Sequence, residues 1–398
     1  MKWTGSGTRG TGSAGSGERT AGCPESEVTG WARWVRELAI RWLPLAGRGD
    51  FALSPVGLWL ALAALSVGAR GGTAAELRRL LGADGATAAR AVARIAATLD
   101  ATGALRHATR IWSRVPLEPG YVEVLPGVGC GPMDAAAVDA WVRKATDGMV
   151  ERLPLHLTDA TLLVLVDALV LKARWADPFS GSATRPRDFT AGNGTVHAVP
   201  TMHRSFPATQ AWTARGEVRV LDLGCASSGP ERSPARVRFA LGPPGAPPAD
   251  VLAATWAPST ARTPLDAGLV AVALPRLALR TTRDATGDVA ALGAPTALTD
   301  AADFGGLSPV PLALSQVVQE SVVRVAEHGV EAAAVTSVAT RFGAPPPPDR
   351  VEHLAFDRPF GIAVLDSSGT LPLFTAWQSG VPEDPGAEAE GGGAREAR

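Results

Sequence analysis

Six histidines (His107, His156, His197, His203, His328 and His353) are the first groups to weigh as metal ligands or general bases. They are dispersed, and none has a partner at the spacing a metal site needs, so each reads as a surface or hydrogen-bonded histidine. Cys23, Cys130 and Cys225 are odd in number and scattered, which gives neither a CxxC site nor a disulfide framework and fits a reducing compartment. Ser54 could be a nucleophile, since it stands where a helix begins. The pair Ser54-Pro55 is fully explained, however, by an N-cap followed by proline at the first helical position. No GxSxG, SxxK, HExxH, phosphate-binding loop or GxGxxG after a strand occurs. The chemistry expected of this chain is therefore not catalysis, and no metal or cofactor is implied.

The elements around these residues read as α+β. Residues 31–43 carry Trp31, Trp34, Val35, Leu38, Ile40 and Leu43 at helical spacing. Leu58, Leu62 and Leu65 define a mostly buried helix from Pro55 to about Gly68. Thr73 and Glu76 form the pattern of a capping box, opening a short helix closed by Gly82. A further helix is expected over 134–149. Strands are expected at 161–171, 218–224, 236–242, 269–281, 317–327 and 360–366, the last joined through Asp366–Gly369 to a strand at 370–376. Helices crowd the first third and strands the remainder, the order of a single α+β domain.

Composition narrows the partners. The chain has 398 residues, 46% of them hydrophobic, and a net charge of −1. That supports a large core and offers no field for nucleic acid. The apolar run 162–171 is too short to span a bilayer and contains Asp167. Residues 1–28 and 383–398 are polar and low in complexity and read as disordered tails around a domain at 29–382. The N-terminus lacks the apolar run of a secretory signal, so the sequence alone places the protein in the cytoplasm.

One stretch resists assignment: 327-EHGVEAAAVTSVATRFGAPPPPDR-350. Its alanines favour helix, its β-branched residues favour strand, and Pro345 to Pro348 stop both.

Seven stretches, in order, resemble the serpins, the serine protease inhibitors that act as suicide substrates. They are 51-FALSPVGLWLALAALSVGARGGTAAELRRLLG-82, 141-WVRKATDGMV-150, 164-VLVDALVLKARWADPF-179, 199-VPTM-202, 303-DFGGLS-308, 327-EHGVEAAAV-335 and 356-FDRPFGIAVLDSSG-369. The resemblance covers roughly residues 30 to 382. It implies a single domain with a large mixed central sheet, further antiparallel sheets, about eight or nine helices and an exposed reactive-centre loop at about 329–355. After cleavage by a protease, such a loop inserts as a strand in the central sheet.

The resemblance also assigns roles. Glu327, Gly329, Val330, Glu331, Ala332, Ala333 and Ala334 correspond to the hinge where insertion starts. Small side chains suit that task, because alanine loses no rotamer entropy on burial and Gly329 can absorb the backbone rotation. Ordering residues 330 to 343 costs roughly 14–28 kcal/mol of backbone entropy, so the uninserted state has to be metastable. Counting from the hinge glycine places the cleaved bond at Gly343–Ala344, with Phe342 and then Arg341 as alternatives. That ranking favours a subtilisin-, chymotrypsin- or elastase-like serine protease over a trypsin-like one. Ser54, Asp167 and Gln319 fall in the cluster that locks the sheet, and Trp175 lies at the breach where the sheet opens. Departures are Val330, where inhibitory members have Thr or Ser, Asp167 in place of an asparagine, and Gly57 in place of a serine. A buried, ionised Asp167 requires hydrogen-bond donors or a raised pKa. The resemblance implies a monomer that meets its target outside the cell, and it leaves a non-inhibitory binding or carrier protein as the alternative.

Overall fold

The computed structural model describes residues 30–102, 105–124, 128–146, 148–153, 155, 157–171, 173–227, 229, 234–330 and 350–385. In chain order the first elements are α1 (Gly30–Trp42), β1 (Phe51–Leu53), α2 (Pro55–Gly68), α3 (Gly71–Leu81) and α4 (Gly85–Thr102). Next come β2 (Leu105–Ser113), α5 (Pro119–Glu123), β3 (Val128–Pro132), α6 (Ala135–Ala145), β4 (Leu163–Leu171) and β5 (Ala173–Arg174). Then follow β6 (Arg185–Thr190), β7 (Val196–Pro207), β8 (Ala211–Ala214), β9 (Val218–Gly224), β10 (Arg236–Leu241) and α7 (Pro248–Ala253). The chain continues with β11 (Arg262–Pro264), β12 (Leu269–Pro275), β13 (Leu277–Asp284), α8 (Thr286–Ala291), β14 (Gln316–Val325) and β15 (Gly329–Val330). It closes with β16 (Val351–Ala355), β17 (Phe360–Leu365) and β18 (Pro372–Gln378).

Three larger sheets result. A seven-stranded sheet runs β1-β18-β17-β10-β9-β8-β11, a four-stranded sheet β16-β12-β7-β6, and a five-stranded sheet β13-β14-β4-β2-β3. The five-stranded sheet positions the site. β4 is antiparallel to β2 and β13 is antiparallel to β14, but the central pair β14 and β4 is parallel, in register from Gln316 opposite Val164 to Val322 opposite Val170. Both faces of that pair are covered, which is why β4 reads as an apolar run interrupted only by Asp167. On one face α2 is buried along nearly its whole circumference. On the other, Val138 and Val142 of α6 pack with Val164, Val166, Val318 and Val322.

The sequence reading holds at the strongest signals and fails at particular places. The Ser54 hydroxyl accepts from the Gly57 amide at 3.0 Å, capping α2 with Pro55 in its first turn. Gly82 caps α3 in the left-handed region, φ 73°, its amide bonding to the Arg78 carbonyl. The expected capping box is absent, because α3 begins at Gly71 and neither side chain is used locally. Thr73 instead accepts from the Asp303 amide, and Glu76 accepts from the amide and hydroxyl of Thr296. The helix expected over 134–149 stops at Ala145. The strand expected over 269–281 is two strands, since after Pro275 the chain leaves the four-stranded sheet at Arg276 and enters the five-stranded one. The tail expected from 383 is described as far as Pro385, and within it Asp384 pairs with Arg276. Eight α-helices are present among the described residues.

Candidate functional site

The parallel pair β14/β4 is fastened at two points. The first lies beneath its middle, where the start of α2 meets the inward face. Gln319 on β14 and Asp167 on β4 stand opposite each other in the ladder. The Ser54 amide donates to Gln319 Oε1 at 2.7 Å, and Gln319 Nε2 donates to the Ser54 carbonyl at 3.0 Å and to Asp167 Oδ2 at 2.9 Å. Thr109 on β2 donates its hydroxyl to Asp167 Oδ1 at 2.9 Å, and the Ser54 hydroxyl donates to the Leu373 carbonyl at 2.8 Å. Ser54, Asp167, Gln319 and Thr109 are all at most 3% exposed. The network ties α2, β2, β4, β14 and the β18 residue Leu373 together through hydrogen bonds, and Asp167 has donors of the kind that its burial requires.

Gly57 is the steric half of this fastening. A Cβ at that position would lie 1.9 Å from Asp167 Oδ2. The two departures noted in the sequence are therefore one departure. The carboxylate occupies the space that a side chain at 57 would need.

The second fastening is at the C-terminal end of β14. The chain turns tightly there, the Ala326 amide donating to the Gly329 carbonyl at 2.9 Å. β15 then pairs antiparallel with β5, Gly329 opposite Arg174 and Val330 opposite Ala173. Gly329 has φ +144°, and a Cβ on it would sit 2.0 Å from the Ala173 carbonyl oxygen, so only glycine fits this pivot. Trp175, 3% exposed, holds the turn from the β5 side. Its indole N–H donates to the Ala326 carbonyl at 2.9 Å, its amide to the His328 carbonyl at 3.1 Å, and its ring packs edge-on against Phe239.

Glu327 carries the charge of this region. Its carboxylate takes Arg276 Nη2 at 2.6 Å and Nε at 2.9 Å, and the Thr184 hydroxyl at 2.5 Å. Burial disfavours ionisation, but the Arg276 guanidinium and the Thr184 hydroxyl outweigh it and hold the carboxyl below its ordinary value. Further down the strand Glu320 is fully buried, paired with Arg280 at 2.8 Å and with the Thr282 hydroxyl. There burial wins and the carboxyl is pushed up.

The structure thus brings together Ser54, Asp167 and Gln319, and places Glu327, Gly329, Val330 and Trp175 at the mouth of the sheet. Glu331, Ala332, Ala333, Ala334, Arg341, Phe342, Gly343 and Ala344 lie outside the described residues. Sequence reasoning missed Thr109, Thr184 and Arg276. Thr109 lies on a strand that was not identified, and Arg276 was hidden inside what read as one strand. Among the described residues no group of His, Cys, Asp or Glu could hold a metal ion, and no helix is long and apolar enough to cross a membrane.

Comparison with known proteins places the fold and the family. The family described as Serpin (serine protease inhibitor) matches residues 37–377. Bovine alpha-2-antiplasmin is 28% identical over 363 residues, covering 86% of this chain and 69% of that protein. Among solved structures, Serpin48 of the insect Tenebrio molitor superposes with a TM-score of 0.75 at 24% identity, covering 89% of this chain and 99% of that one. Human thyroxine-binding globulin in complex with its thyroxine ligand superposes with a TM-score of 0.74 at 23% identity, covering 88% of this chain and 97% of that one. The fold is thus shared by a ligand-binding globulin as well as by a serpin described as highly specific.

Proposed function

The chain belongs to the serpin family, and from that premise we propose that it inhibits a serine protease as a suicide substrate. The target cuts the segment between Val330 and Arg350, at Gly343–Ala344 or, failing that, after Phe342 or Arg341. Its own serine supplies the nucleophile, and the acyl-enzyme is carried off before it hydrolyses. This chain contributes bait and a conformational change, not catalytic groups.

The observation that carries the reading is the parallel central pair. β14 and β4 run the same way, so a strand that folds back antiparallel to β14 is antiparallel to β4 as well. The turn at Ala326–Gly329 already reverses the chain at the end of β14, next to that pair. A segment entering there from Val330 would exchange one parallel ladder for two antiparallel ones, the more stable arrangement per residue. The small residues Ala332, Ala333 and Ala334 follow immediately in sequence.

Incubation with subtilisin, chymotrypsin, elastase and trypsin tests it. The expected result is an SDS-resistant complex with one of the first three, release of a peptide starting at Ala344 or Gly343, and a rise in thermal stability of the cleaved protein. Ala333→Glu should be cut without trapping, since its charge would have to enter the sheet. Cleavage of the parent with neither complex nor stabilisation would leave only the carrier reading, for which the likeness to thyroxine-binding globulin is the precedent.

A further inference from the structure

Arg276 is shared by two carboxylates, Glu327 and Asp384, that lie 57 residues apart in the chain. Its Nε and Nη2 edge faces Glu327, and its Nη1 reaches Asp384 Oδ2 at 3.3 Å and Oδ1 at 3.5 Å. The backbone of Arg276 is anchored as well, its amide donating to the Pro200 carbonyl at 2.9 Å. The fork is thus gripped on both sides, and its orientation toward Glu327 is set in part from the segment that follows β18. Arg276 and Asp384 are each about a quarter exposed, whereas the Glu327 carboxylate is nearly covered. The Asp384 contact is therefore the part of the cluster that solvent can loosen first.

Glu327 also bears directly on the hinge. Its carbonyl accepts from the Phe179 amide at 2.8 Å, and the neighbouring His328 carbonyl accepts from the Trp175 amide. Those two bonds have to break or shift if the mouth of the sheet is to open around Gly329. A planar guanidinium held on one edge alone keeps rotational freedom about its stem, and one held on both edges has little.

We propose that Asp384 is a positioning residue for the hinge: by holding the outer edge of the Arg276 fork it keeps the inner edge on Glu327 and slows opening between Trp175 and Glu327. Its meaning for protease trapping rests on the inhibitory reading above, but the contact itself does not need a protease to be tested.

The experiment is site-resolved amide hydrogen exchange on the full chain. Asp384→Asn should speed exchange of the Trp175 and Phe179 amides two- to five-fold while amides of β9 and β10 keep their rates. Asp384→Glu should restore the parent rate, and Asp384→Asn should add nothing when Arg276 is already Gln. Unchanged exchange at Trp175 and Phe179 overturns the proposal. So does an equal acceleration in the Arg276→Gln background, or one spread evenly over the protein. Failure to form a protease complex would instead overturn the inhibitory reading and leave this result standing.

Discussion

The two fastenings of β14 to its surroundings are built from different materials. At the middle of the sheet, Ser54, Thr109, Asp167 and Gln319 are all but inaccessible, and one carboxylate accepts from the Thr109 hydroxyl and the Gln319 amide against a glycine. At the mouth, Glu327 is held by an arginine that is about a quarter exposed and whose other edge pairs with the similarly exposed Asp384. The first should depend on shape and be nearly indifferent to salt. The second should tolerate changes of shape and respond to charge and ionic strength. Under the proposed mechanism, in which the sheet opens from the end at Gly329, the end that lets go first would rely on contacts that water can replace.

The largest way to break the contrast is at Gly57. Alanine there would gain about 1 kcal/mol of helix propensity. Its Cβ would meet the Asp167 carboxylate at 1.9 Å, however, and Asp167 cannot retreat without losing hydrogen bonds to Thr109 and Gln319. Overpacking and lost charge-assisted bonds outweigh the propensity gain, so Gly57→Ala should destabilise the native form by about 2–4 kcal/mol in denaturant unfolding. A neutral or stabilising result would mean that the carboxylate has another place to go.

Gly57 also shows what the sequence could and could not say. That Ser54 caps α2, and that β4 and β14 are buried strands, is local, written in a Ser-Pro pair and in apolar runs. That Gly57 and Asp167 are a single adjustment was invisible, because the two positions are joined only across packed elements. The same limit explains Thr73 and Glu76, whose capping-box pattern is genuine but whose side chains bond instead to Asp303 and Thr296, more than 200 residues away. It explains Arg276, where two strands of different sheets abut and alternate alike. α4 was not read from the sequence, although Ala88, Ala91, Val92, Ile95 and Leu99 form a buried stripe on it.

A matched pair of substitutions sharpens the comparison at lower cost to the fold. Thr109 and Thr184 each donate a hydroxyl to a key carboxylate. Thr109→Val leaves Asp167 short of a donor where no water reaches, and should lower stability by about 1–3 kcal/mol. Thr184→Val leaves Glu327 its two-pronged arginine in a partly exposed setting, and should lower it by less than about 1 kcal/mol. Equal losses in thermal unfolding would erase the distinction between a dry fastening and a wet one.

The smallest expected effect is in pH, and it separates two carboxylates seven residues apart on one stretch of chain. Glu320 is raised by burial, so its folded form takes up a proton more readily than the unfolded chain does. Its share of stability is complete below the unfolded value of about 4.3 and is lost as pH rises through the higher folded value. Glu327 is lowered, so its share is complete above that unfolded value and is lost as pH falls through the lower folded value. Acidification from neutrality should therefore first relieve the cost of charge at Glu320 and only later release Arg276 from Glu327. Glu320→Gln should flatten the stability profile on the neutral side of about pH 4.3, and Glu327→Gln should flatten it on the acid side. Urea midpoints for the parent and both variants between about pH 3 and pH 7 would read this directly. If the two variants altered the same limb of the profile, the charge at the mouth and the charge in the buried strand would not be independent.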